Sequence, residues 1–435
     1  MRVLVIGGGV GGCLTALALK KKGFDPILFD KYDPRGAPLT ANGAPLDMTF
    51  GELGGAFCLL SNGLCVLRSL GLLDKVRALG CNTSETASFC TIDGVAFATF
   101  NMTHAAVDDA IKVPCQILRS RFIDLLLGEL HAAGIPWHLK KKLVGIDDVG
   151  HHITATFEDG SSATGDLLVG ADGVHSLVRR VAMGDHLRSV FTGSIGYLGV
   201  VNMTPDDVAV WAQYARLTFF RDTVQHLDAT FVVSNDAELS FYATETKPQM
   251  ANSDDWRPYN DVPGEAVALA AMLEGWGMPP CVVSMVQRAT RLTPVSLYEA
   301  PDVPAYHKGR VVLVGDAAHG MRPDVGQGAN SALEDAAMLA ELLAAWPHDV
   351  PKALAKYTER RQPRGKGFQD AARDLHAKSF CSGPIEAFVN RHVLKLMAYL
   401  STTWGVNVIV QDTLAYDVVA DAAQAIAAES NEYMP

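Results

Sequence analysis

The stretch Arg2–Asp30, which reads RVLVIGGGVGGCLTALALKKKGFDPILFD, decides the fold. Its first five residues are mostly branched and apolar without polar alternation, which predicts a buried strand of a parallel sheet. The glycine-rich segment that follows fits Gly-x-Gly-x-x-Gly at Gly7, Gly9 and Gly12, and helical apolar spacing comes directly after it. A second apolar strand then ends in Asp30.

This order of strand, loop, helix and strand predicts a site for an adenine dinucleotide. The three glycines allow, in chain order, a tight turn, a close approach of the backbone to a pyrophosphate, and close packing of helix on strand. Free amides and the helix dipole hold the anion, and Asp30 accepts from a ribose hydroxyl. Val10, Gly11 and Lys31 complete the predicted contacts of this region.

Length and charge restrict the class of protein. A chain of 435 residues with 49% apolar and 20% charged residues is typical of two or three globular domains. The net charge of -11 argues against nucleic acid as a partner, because phosphate binding needs clustered Lys and Arg. The eight cysteines show no metal-ligand spacing, and His151 and His152, adjacent in a strand, point to opposite faces. We therefore predict no metal site.

The sequence also bears on the cellular location of the protein. No secretory signal is recognisable at the N-terminus, because the apolar start runs directly into the glycine loop. The segment Leu396–Val410 is apolar but too short and too polar to span a bilayer, so we expect a core helix or a subunit contact there. We expect a cytoplasmic protein without a transmembrane segment, either a monomer or a homodimer.

Patterns along the rest of the chain give the domain plan. The Gly- and Pro-rich segment Lys31–Gly55 predicts a long irregular loop. Helices are predicted over Leu64–Leu79 and Arg119–Ala133, with a hairpin turning at Asp93-Gly94 between them. Residues 185–300 carry alternating segments typical of an antiparallel sheet, after which Gly309–Gly315 returns to the buried-strand pattern of the N-terminus. The first domain is therefore discontinuous.

Four motifs in this order resemble those of the class A FAD-dependent monooxygenases, the para-hydroxybenzoate hydroxylase-like flavoproteins. They are the N-terminal fingerprint with Arg119, the segment Gly170–Arg179, the segment Gly315–His319, and Pro323–Asn330 leading into a helix. The resemblance covers Met1 to about Trp346 and is weakest in the substrate region. One departure is that the ribose acid is Asp30, where Glu is commoner in the family.

The resemblance implies an α/β fold with a Rossmann-like FAD-binding domain, an inserted antiparallel β-sheet substrate domain and a helical C-terminal tail. We expect the FAD-binding domain over residues 1–184 and 301–373, the substrate domain over 185–300, and the helical segment over 374–435.

The resemblance also assigns cofactor contacts. Asp316 would accept from a ribityl hydroxyl, Arg119 would reach the cofactor, and Asp172 would lie near the pyrophosphate and a transient NADPH. The loop that contains Pro323 and Gly326 leads into a helix. The N-terminus of that helix would favour electron density on one edge of the flavin. The amides at that N-terminus belong to Gly328, Ala329 and Asn330.

For the reaction, the resemblance implies that NADPH or NADH reduces FAD. The reduced flavin then reacts with O2 to give a C4a-hydroperoxyflavin, which hydroxylates or epoxidises an aromatic or polycyclic substrate. Tyr197, Arg216 and Tyr242 are candidates for substrate contact or catalysis. We expect His319 to be structural or near the flavin edge, and Glu334 and Asp335 to be solvated or to interact with a helix dipole.

Two other classes remain open at this stage. One is an FAD-dependent reductase or dehydrogenase of the geranylgeranyl reductase type, which shares the cofactor motifs without using oxygen. The other is a non-enzymatic FAD-binding redox module. Substrate-dependent oxygen consumption distinguishes the monooxygenase from the first, and NAD(P)H oxidation distinguishes it from the second.

Overall fold

The computed structural model describes residues 1–32, 55–83, 85–222, 224, 227–235, 237–248, 259, 261–379, 383–404 and 411–431. The loop predicted over Lys31–Gly55 therefore lies almost wholly outside the described residues. The strands are β1 (Arg2–Ile6), β2 (Asp25–Phe29), β3 (Ala56–Leu59), β4 (Thr86–Thr91), β5 (Ala96–Asn101), β6 (Cys115–Leu118), β7 (Trp137–His138), β8 (Leu143–Asp148), β9 (Ile153–Phe157), β10 (Ser162–Gly165), β11 (Leu167–Gly170), β12 (Val190–Asn202), β13 (Leu217–Asp222), β14 (Leu227–Asn235), β15 (Glu238–Thr246), β16 (Arg291–Glu299), β17 (His307–Lys308) and β18 (Val311–Leu313). The helices are α1 (Val10–Lys21), α2 (Ser61–Leu70), α3 (Leu73–Leu79), α4 (Asp109–Lys112), α5 (Arg119–Ala132), α6 (Leu177–Met183), α7 (Pro205–Trp211), α8 (Val262–Gly275), α9 (Pro280–Val286), α10 (Asp316–His319), α11 (Gly328–Ala345), α12 (Val350–Ser379), α13 (Pro384–Trp404), α14 (Gln411–Leu414) and α15 (Val418–Asn431).

A six-stranded sheet in the order β17-β18-β11-β1-β2-β7 forms the centre of the dinucleotide side. All of its neighbouring strands are parallel except β17, which is antiparallel to β18. The run Val3–Val5 is fully buried in β1, as expected for a strand covered on both faces. Helices α1, α5 and α11 pack together with this sheet in one hydrophobic core.

A second, seven-stranded sheet has the order β16-β12-β15-β14-β13-β4-β5. Side chains alternate between its two faces. On the helix face, Phe231, Phe241 and Ala243 pack with residues of α8 and α9. The opposite face, which we call the cleft face, carries Tyr242 and the residues level with it on neighbouring strands, Thr230 and Phe219.

The seven-stranded sheet also includes residues from early in the chain. Strand β4 pairs in parallel with β13, and β5 pairs with β4 in the hairpin that the sequence predicts at Asp93-Gly94. Gly94 has φ +93°, a left-handed conformation that glycine adopts without strain. The sheet that dominates residues 190–299 is thus completed by residues 86–101.

The C-terminal part of the chain is helical and returns to the dinucleotide side. Helix α12 packs on α11, and α15 packs on α11 and α2. Salt bridges from Arg360 to Asp421 and from Lys356 to Glu429 join α12 to α15. Helix α13 instead packs on β5, where Ala398 is buried beside Phe100. No helix in the described part of the chain combines the length and the apolar character that a bilayer crossing demands.

The fold class predicted from the sequence is confirmed, and most element bounds agree within a few residues. One predicted element differs. The helix expected over Leu64–Leu79 is two helices, α2 and α3, because Gly71 takes a left-handed conformation with φ +79° and ends the first of them.

Candidate active site

The loop between β1 and α1 is shaped by glycines that admit no side chain. Gly7 has φ +110°, and a Cβ added there would lie 2.2 Å from the Ala171 carbonyl oxygen. A Cβ on Gly12 would lie 1.8 Å from the Gly7 carbonyl oxygen. A Cβ on Gly9, by contrast, would meet nothing within 4 Å. The loop is therefore tightly packed on its inner side and open at Gly9.

Asp30 fastens the end of β2 to this loop. One carboxylate oxygen accepts from the Gly8 amide, and the other accepts from the Tyr32 amide at 2.6 Å. Burial raises the pKa of Asp30, and these two amides oppose the rise. Lys31 beside it is exposed, with its ammonium 4.8 Å from the centre of the Tyr32 ring.

Arg119 and Asp316 are brought together although they are far apart in the chain. The Arg119 amide, at the start of α5, donates to the Gly55 carbonyl at 3.0 Å. Burial lowers the pKa of the Arg119 guanidinium, and the Asp316 carboxylate raises it, so the two groups interact electrostatically. Asp316 is exposed while Ala317 and Ala318 after it are buried. Its Oδ1 lies 3.9 Å from the position of a Cβ added at Gly328, so the carboxylate lies beside the start of α11.

The start of α11 is held by the Asn330 side chain. Its oxygen accepts from the Leu60 amide at 3.0 Å, and its nitrogen donates to the carbonyls of Cys58 at 3.0 Å and Gly326 at 2.9 Å. Gly326 has φ +62° and follows a single 3-10 turn over Pro323–Val325. The side chain of Asn330 thus forms its hydrogen bonds within the protein. The first amides of α11 are left available, as at any helix N-terminus.

The Asp172 side chain binds the N-terminus of α6, where Ser176 is the N-cap residue. Its carboxylate accepts from the Ser176 hydroxyl and from the amides of Leu177 at 2.8 Å and Val178 at 3.0 Å. Arg179 in the same helix is fully buried and donates to the Ala317 carbonyl at 2.9 Å. Arg179 belongs to the motif Gly170–Arg179, but nothing in the sequence predicts that its side chain connects this motif to α10.

The sequence expectation that Glu334 and Asp335 are solvated is wrong, because both are fully buried. Arg361 of α12 binds both, with Nη1 at 2.6 Å from Glu334 Oε2 and Nε at 2.7 Å from Asp335 Oδ1. Burial alone would raise the pKa of Asp335, but His319 and Arg361 hold it at about 2. Both acids form ion pairs with a residue of another helix, and the residue pattern within one helix cannot reveal such a partner.

His319 is part of the same cluster. Its Nε2 donates to Asp335 Oδ2 at 2.6 Å, and the same oxygen accepts from the Gly315 amide at 2.8 Å. The ring is fully buried. Because its Nε2 is held by Asp335, His319 fixes the turn after β18, which favours the structural reading of this residue.

The structure separates the three substrate-region candidates. Tyr242 lies on the cleft face, and its ring crosses Gly196, where an added Cβ would lie 2.4 Å from it. Tyr197 is level with Ala243 and so lies on the helix face, where its hydroxyl donates to Glu245 at 3.2 Å. Arg216 is half-buried just before β13, and its carbonyl accepts from the Val233 amide at 2.8 Å.

The cleft face that carries Tyr242 also carries a stacked aromatic pair and an ion pair on neighbouring strands. Phe89 and Phe219 stack with centroids 4.7 Å apart, and Arg221 pairs with Asp228 at 2.8 Å. Burial raises the pKa of Tyr242 well above its usual value. Sequence reasoning missed these neighbours because only the strand register places them on one face.

Substitutions of the loop glycines separate packing from ligand contact. We expect Gly12→Ala to destabilise the protein, because the Cβ would collide with backbone. Gly9→Ala should leave the thermal stability of the apoprotein unchanged but weaken FAD binding, because it narrows the open side of the loop. Thermal unfolding and FAD titration of the apoprotein measure the two effects.

The control for these variants is Gly128→Ala, at an exposed site in α5 where a Cβ meets nothing within 4 Å. It should be neutral or stabilise by up to about 1 kcal/mol. Equal FAD affinity of the Gly9→Ala variant and the wild type would contradict this assignment of the loop.

The buried ionic cluster predicts a large effect at Arg361. We expect Arg361→Met to lower the free energy of unfolding by about 3–5 kcal/mol, because it leaves two buried carboxylates without their shared cation. Lys366→Met on the same helix removes only surface ion pairs with Asp302 and Asp370, so a much smaller loss of unfolding free energy is expected. Denaturant unfolding of both variants checks this, and similar losses would refute it.

Comparison with known proteins identifies the family of this chain. The family model described as FAD binding domain matches residues 54–372. An FAD-dependent urate hydroxylase of Mycolicibacterium vanbaalenii is 30% identical over 370 residues, which cover 84% of this chain and 85% of the hydroxylase. A 3-amino-4-hydroxybenzoate 2-monooxygenase of Streptomyces platensis is 28% identical, covering 87% of this chain and 86% of the relative. A zeaxanthin epoxidase of Nicotiana plumbaginifolia is 29% identical over 83% of this chain but only 50% of its own length.

Solved structures show the same fold. Klebsiella pneumoniae HpxO, complexed with FAD and uric acid, superposes with a TM-score of 0.77 at 20% identity, covering 94% of this chain and 96% of HpxO. A salicylate hydroxylase substrate complex gives a TM-score of 0.73 at 24% identity, covering 98% of each chain. The chain belongs to the FAD-binding-domain family and, within it, to the class A FAD-dependent monooxygenases.

Proposed function

We propose that this enzyme inserts one oxygen atom of O2 into an aromatic or polycyclic organic substrate bound at the cleft face. The overall reaction consumes substrate, O2, NAD(P)H and a proton, and it yields the oxygenated substrate, NAD(P)+ and water. The observation that carries the proposal is the link between the two sides: Ser240, next to Tyr242 on the cleft face, binds β3, whose partner strand β6 leads into Arg119.

A contact between the seven-stranded sheet and the separate two-stranded sheet of β3 and β6 supports a single shared cleft. Ser240, on the cleft face next to Tyr242, accepts from the Ala56 amide at 3.0 Å, which ties that face to β3. Strand β3 pairs with β6, which leads directly into Arg119. The substrate side and the cofactor side thus meet through β3.

The residues present fit FAD. Gly9 leaves open backbone at the start of α1, and Asp30 retains unused acceptor capacity for a ribose hydroxyl. We propose that the cofactor is held by the residues that the sequence suggested: Gly7, Gly9, Val10, Gly11, Gly12, Asp30, Lys31, Arg119, Asp172, Asp316, Pro323, Gly326, Gly328, Ala329 and Asn330. For Asp172 and Asn330 we assign the contact to the backbone, because their side chains are occupied.

When bound, FAD supplies the redox chemistry with NAD(P)H and dioxygen. The chain supplies positioning, charge stabilisation and a dry cleft. The first amides of α11 would stabilise negative charge on the cofactor edge that faces them. The stacked pair Phe89 and Phe219 would hold a flat apolar substrate and exclude water, which otherwise diverts the reaction to hydrogen peroxide.

We also propose the domain division predicted from the sequence, with residues 1–184 and 301–373 for FAD and 185–300 for substrate, amended so that residues 86–101 count with the substrate sheet. We keep the predicted third part, residues 374–435, although its helix α15 packs on the dinucleotide side and its helix α13 on β5. Monomer or homodimer remains our expectation for the oligomeric state, which light scattering of the purified protein measures.

The proposed reaction is tested with isotopically labelled dioxygen. The FAD-loaded enzyme is incubated with NADPH or NADH and a panel of hydroxylated aromatic compounds. Mass spectrometry then measures the molecular masses of the products. We expect one labelled oxygen atom per product molecule and substrate-dependent oxygen uptake. A product that forms equally well without oxygen would instead support the reductase class.

We expect the stacked pair Phe89 and Phe219 to affect how efficiently NAD(P)H oxidation is coupled to oxygen transfer. We expect Phe219→Ala to raise the share of consumed NAD(P)H that ends as hydrogen peroxide, because the shortened side chain admits water. Phe388→Ala, at an exposed ring on α13, is the control and should leave the peroxide yield unchanged. A wild-type peroxide yield in the Phe219→Ala variant would argue against a role for this ring.

A further inference from the structure

Helix α13 presents an apolar face to solvent. Six of its large apolar side chains are between 49% and 81% exposed. They are Ile385, Phe388, Val389, Val393, Leu396 and Tyr399. Most of them follow one another at three or four residues, which places them on one side of the helix, and we call this side the outer face of α13. In the described part of the chain, no other helix or strand exposes more than two large apolar side chains.

The opposite side of α13 is fixed on the seven-stranded sheet. Ala398 is buried beside Phe100, and Leu394 packs into the same cluster. The Arg391 guanidinium lies 5.5 Å from the centre of the Phe97 ring of β5. These contacts anchor the helix with its outer face turned away from the sheet. A partner would therefore meet a surface that is already ordered, and little conformational entropy would be lost on binding.

The outer face is large enough for a specific contact. Side chains of these types, exposed to this degree, leave roughly 600 Å² of apolar surface in contact with water, which is at the upper limit for a monomeric protein. Two such faces together would bury about 1,200 Å², which reaches the lower limit of standard specific interfaces. The area of the face thus suits a contact with a second copy of itself.

The residue pattern of the outer face matches itself when two copies of α13 run antiparallel. In a twofold contact, residue i of one copy meets residue j of the other and j meets i. With His392 on the twofold axis, Phe388 of one copy lies level with Leu396 of the other, and Ile385 lies level with Tyr399. Each end of the apolar face therefore meets the apolar other end of the second copy.

Lys395 favours this direction over a parallel one. In the antiparallel arrangement it lies level with Val389 of the second copy, and the two Lys395 residues are about 9 Å apart along the helices. A parallel arrangement would place the two ammonium groups against each other, and like charges at one level are destabilising. The antiparallel pair is therefore the arrangement that the charges permit.

Charge also disfavours a lipid surface as the partner. The chain has a net charge of -11, which an anionic membrane surface would repel. Amphipathic helices that bind membranes carry several Lys and Arg residues beside the apolar face. On α13 the basic residues are only Arg391 and Lys395, and Glu386 opposes them.

We propose that the outer face of α13 is a homodimer contact, in which the α13 helices of two copies pack antiparallel about a twofold axis at His392. Removal of the apolar side chains of both copies from water drives the association. The family model matches residues 54–372, so the contact uses a helix outside the matched domain. The inference concerns the assembly and is independent of the proposed oxygen transfer.

Sedimentation of the FAD-loaded enzyme at several concentrations measures the assembly. We expect the wild type to be a dimer at micromolar concentration. The variant Phe388→Asp with Leu396→Asp should raise the dimer dissociation constant about a hundredfold or more, because it places four carboxylates in the contact. The matched control is Val267→Asp, at an exposed valine of α8, and it should dimerise like the wild type. Melting temperature and FAD content show that each variant is folded.

Disulfide formation tests the direction of the helices. Cys381, which precedes α13, is first replaced by Ser so that it cannot form a cross-link. The variants Phe388→Cys and Leu396→Cys are then oxidised, each alone and as a mixture in which subunits have exchanged. In the antiparallel pair the two residues 388 are about 12 Å apart along the helices, and a disulfide needs Cα atoms within about 7 Å. A cross-linked dimer should therefore form in the mixture and in neither variant alone.

A wild type that stays monomeric up to its highest soluble concentration overturns the proposal. A dimer that survives the double Asp substitution also overturns it, because another surface then forms the dimer. Cross-linking of either cysteine variant with itself refutes the antiparallel arrangement. If a monomeric wild type binds phosphatidylglycerol vesicles and the double Asp variant does not, the outer face belongs to a lipid surface instead.

Discussion

The rest of the dinucleotide side depends on one buried ionic cluster, in which Arg361 of α12 pairs with both Glu334 and Asp335 of α11. Asp335 binds the guanidinium with one oxygen and both His319 and the Gly315 amide with the other. Glu334 binds the same guanidinium and also Asn62 of α2 at 2.6 Å. A charge in this position is stable only with all of its partners, because desolvation of an ion must be offset by close contacts. The cluster therefore fixes β18, α10, α11, α12 and α2 in one arrangement.

That arrangement determines where the start of α11 can lie. The amides available to a cofactor edge belong to the first turn of this helix, and the cluster holds the helix less than two turns later. Asn330 secures the turn itself by binding Leu60, Cys58 and Gly326. The polar groups around the proposed cofactor edge are thus oriented before any ligand arrives, which is the condition under which they stabilise developing charge.

The sequence predicts the parts of the site whose chemistry is local. The unit of β1, α1 and β2 is recognisable because strand, glycines, helix and Asp30 follow one another within thirty residues. Burial of Glu334 and Asp335 was missed because their cation, Arg361, lies 27 residues further along in another helix. The pairing of β4 with β13 was not predicted for the same reason, because neither segment alone shows which distant strand it pairs with.

The same reasoning explains why the three substrate candidates could not be ranked from the sequence. Tyr197 and Tyr242 are in adjacent strands and are one register step apart, since Tyr242 is level with Leu198. Because side chains alternate, that single step places one ring against α8 and α9 and the other over the cleft. On the helix face, Tyr197 has Glu245 and Lys247 within hydrogen-bond distance of its hydroxyl. The hydroxyl of Tyr242 has no hydrogen-bond partner among the described residues, and because of this difference in hydrogen bonding we propose Tyr242, rather than Tyr197, as the residue that faces the substrate.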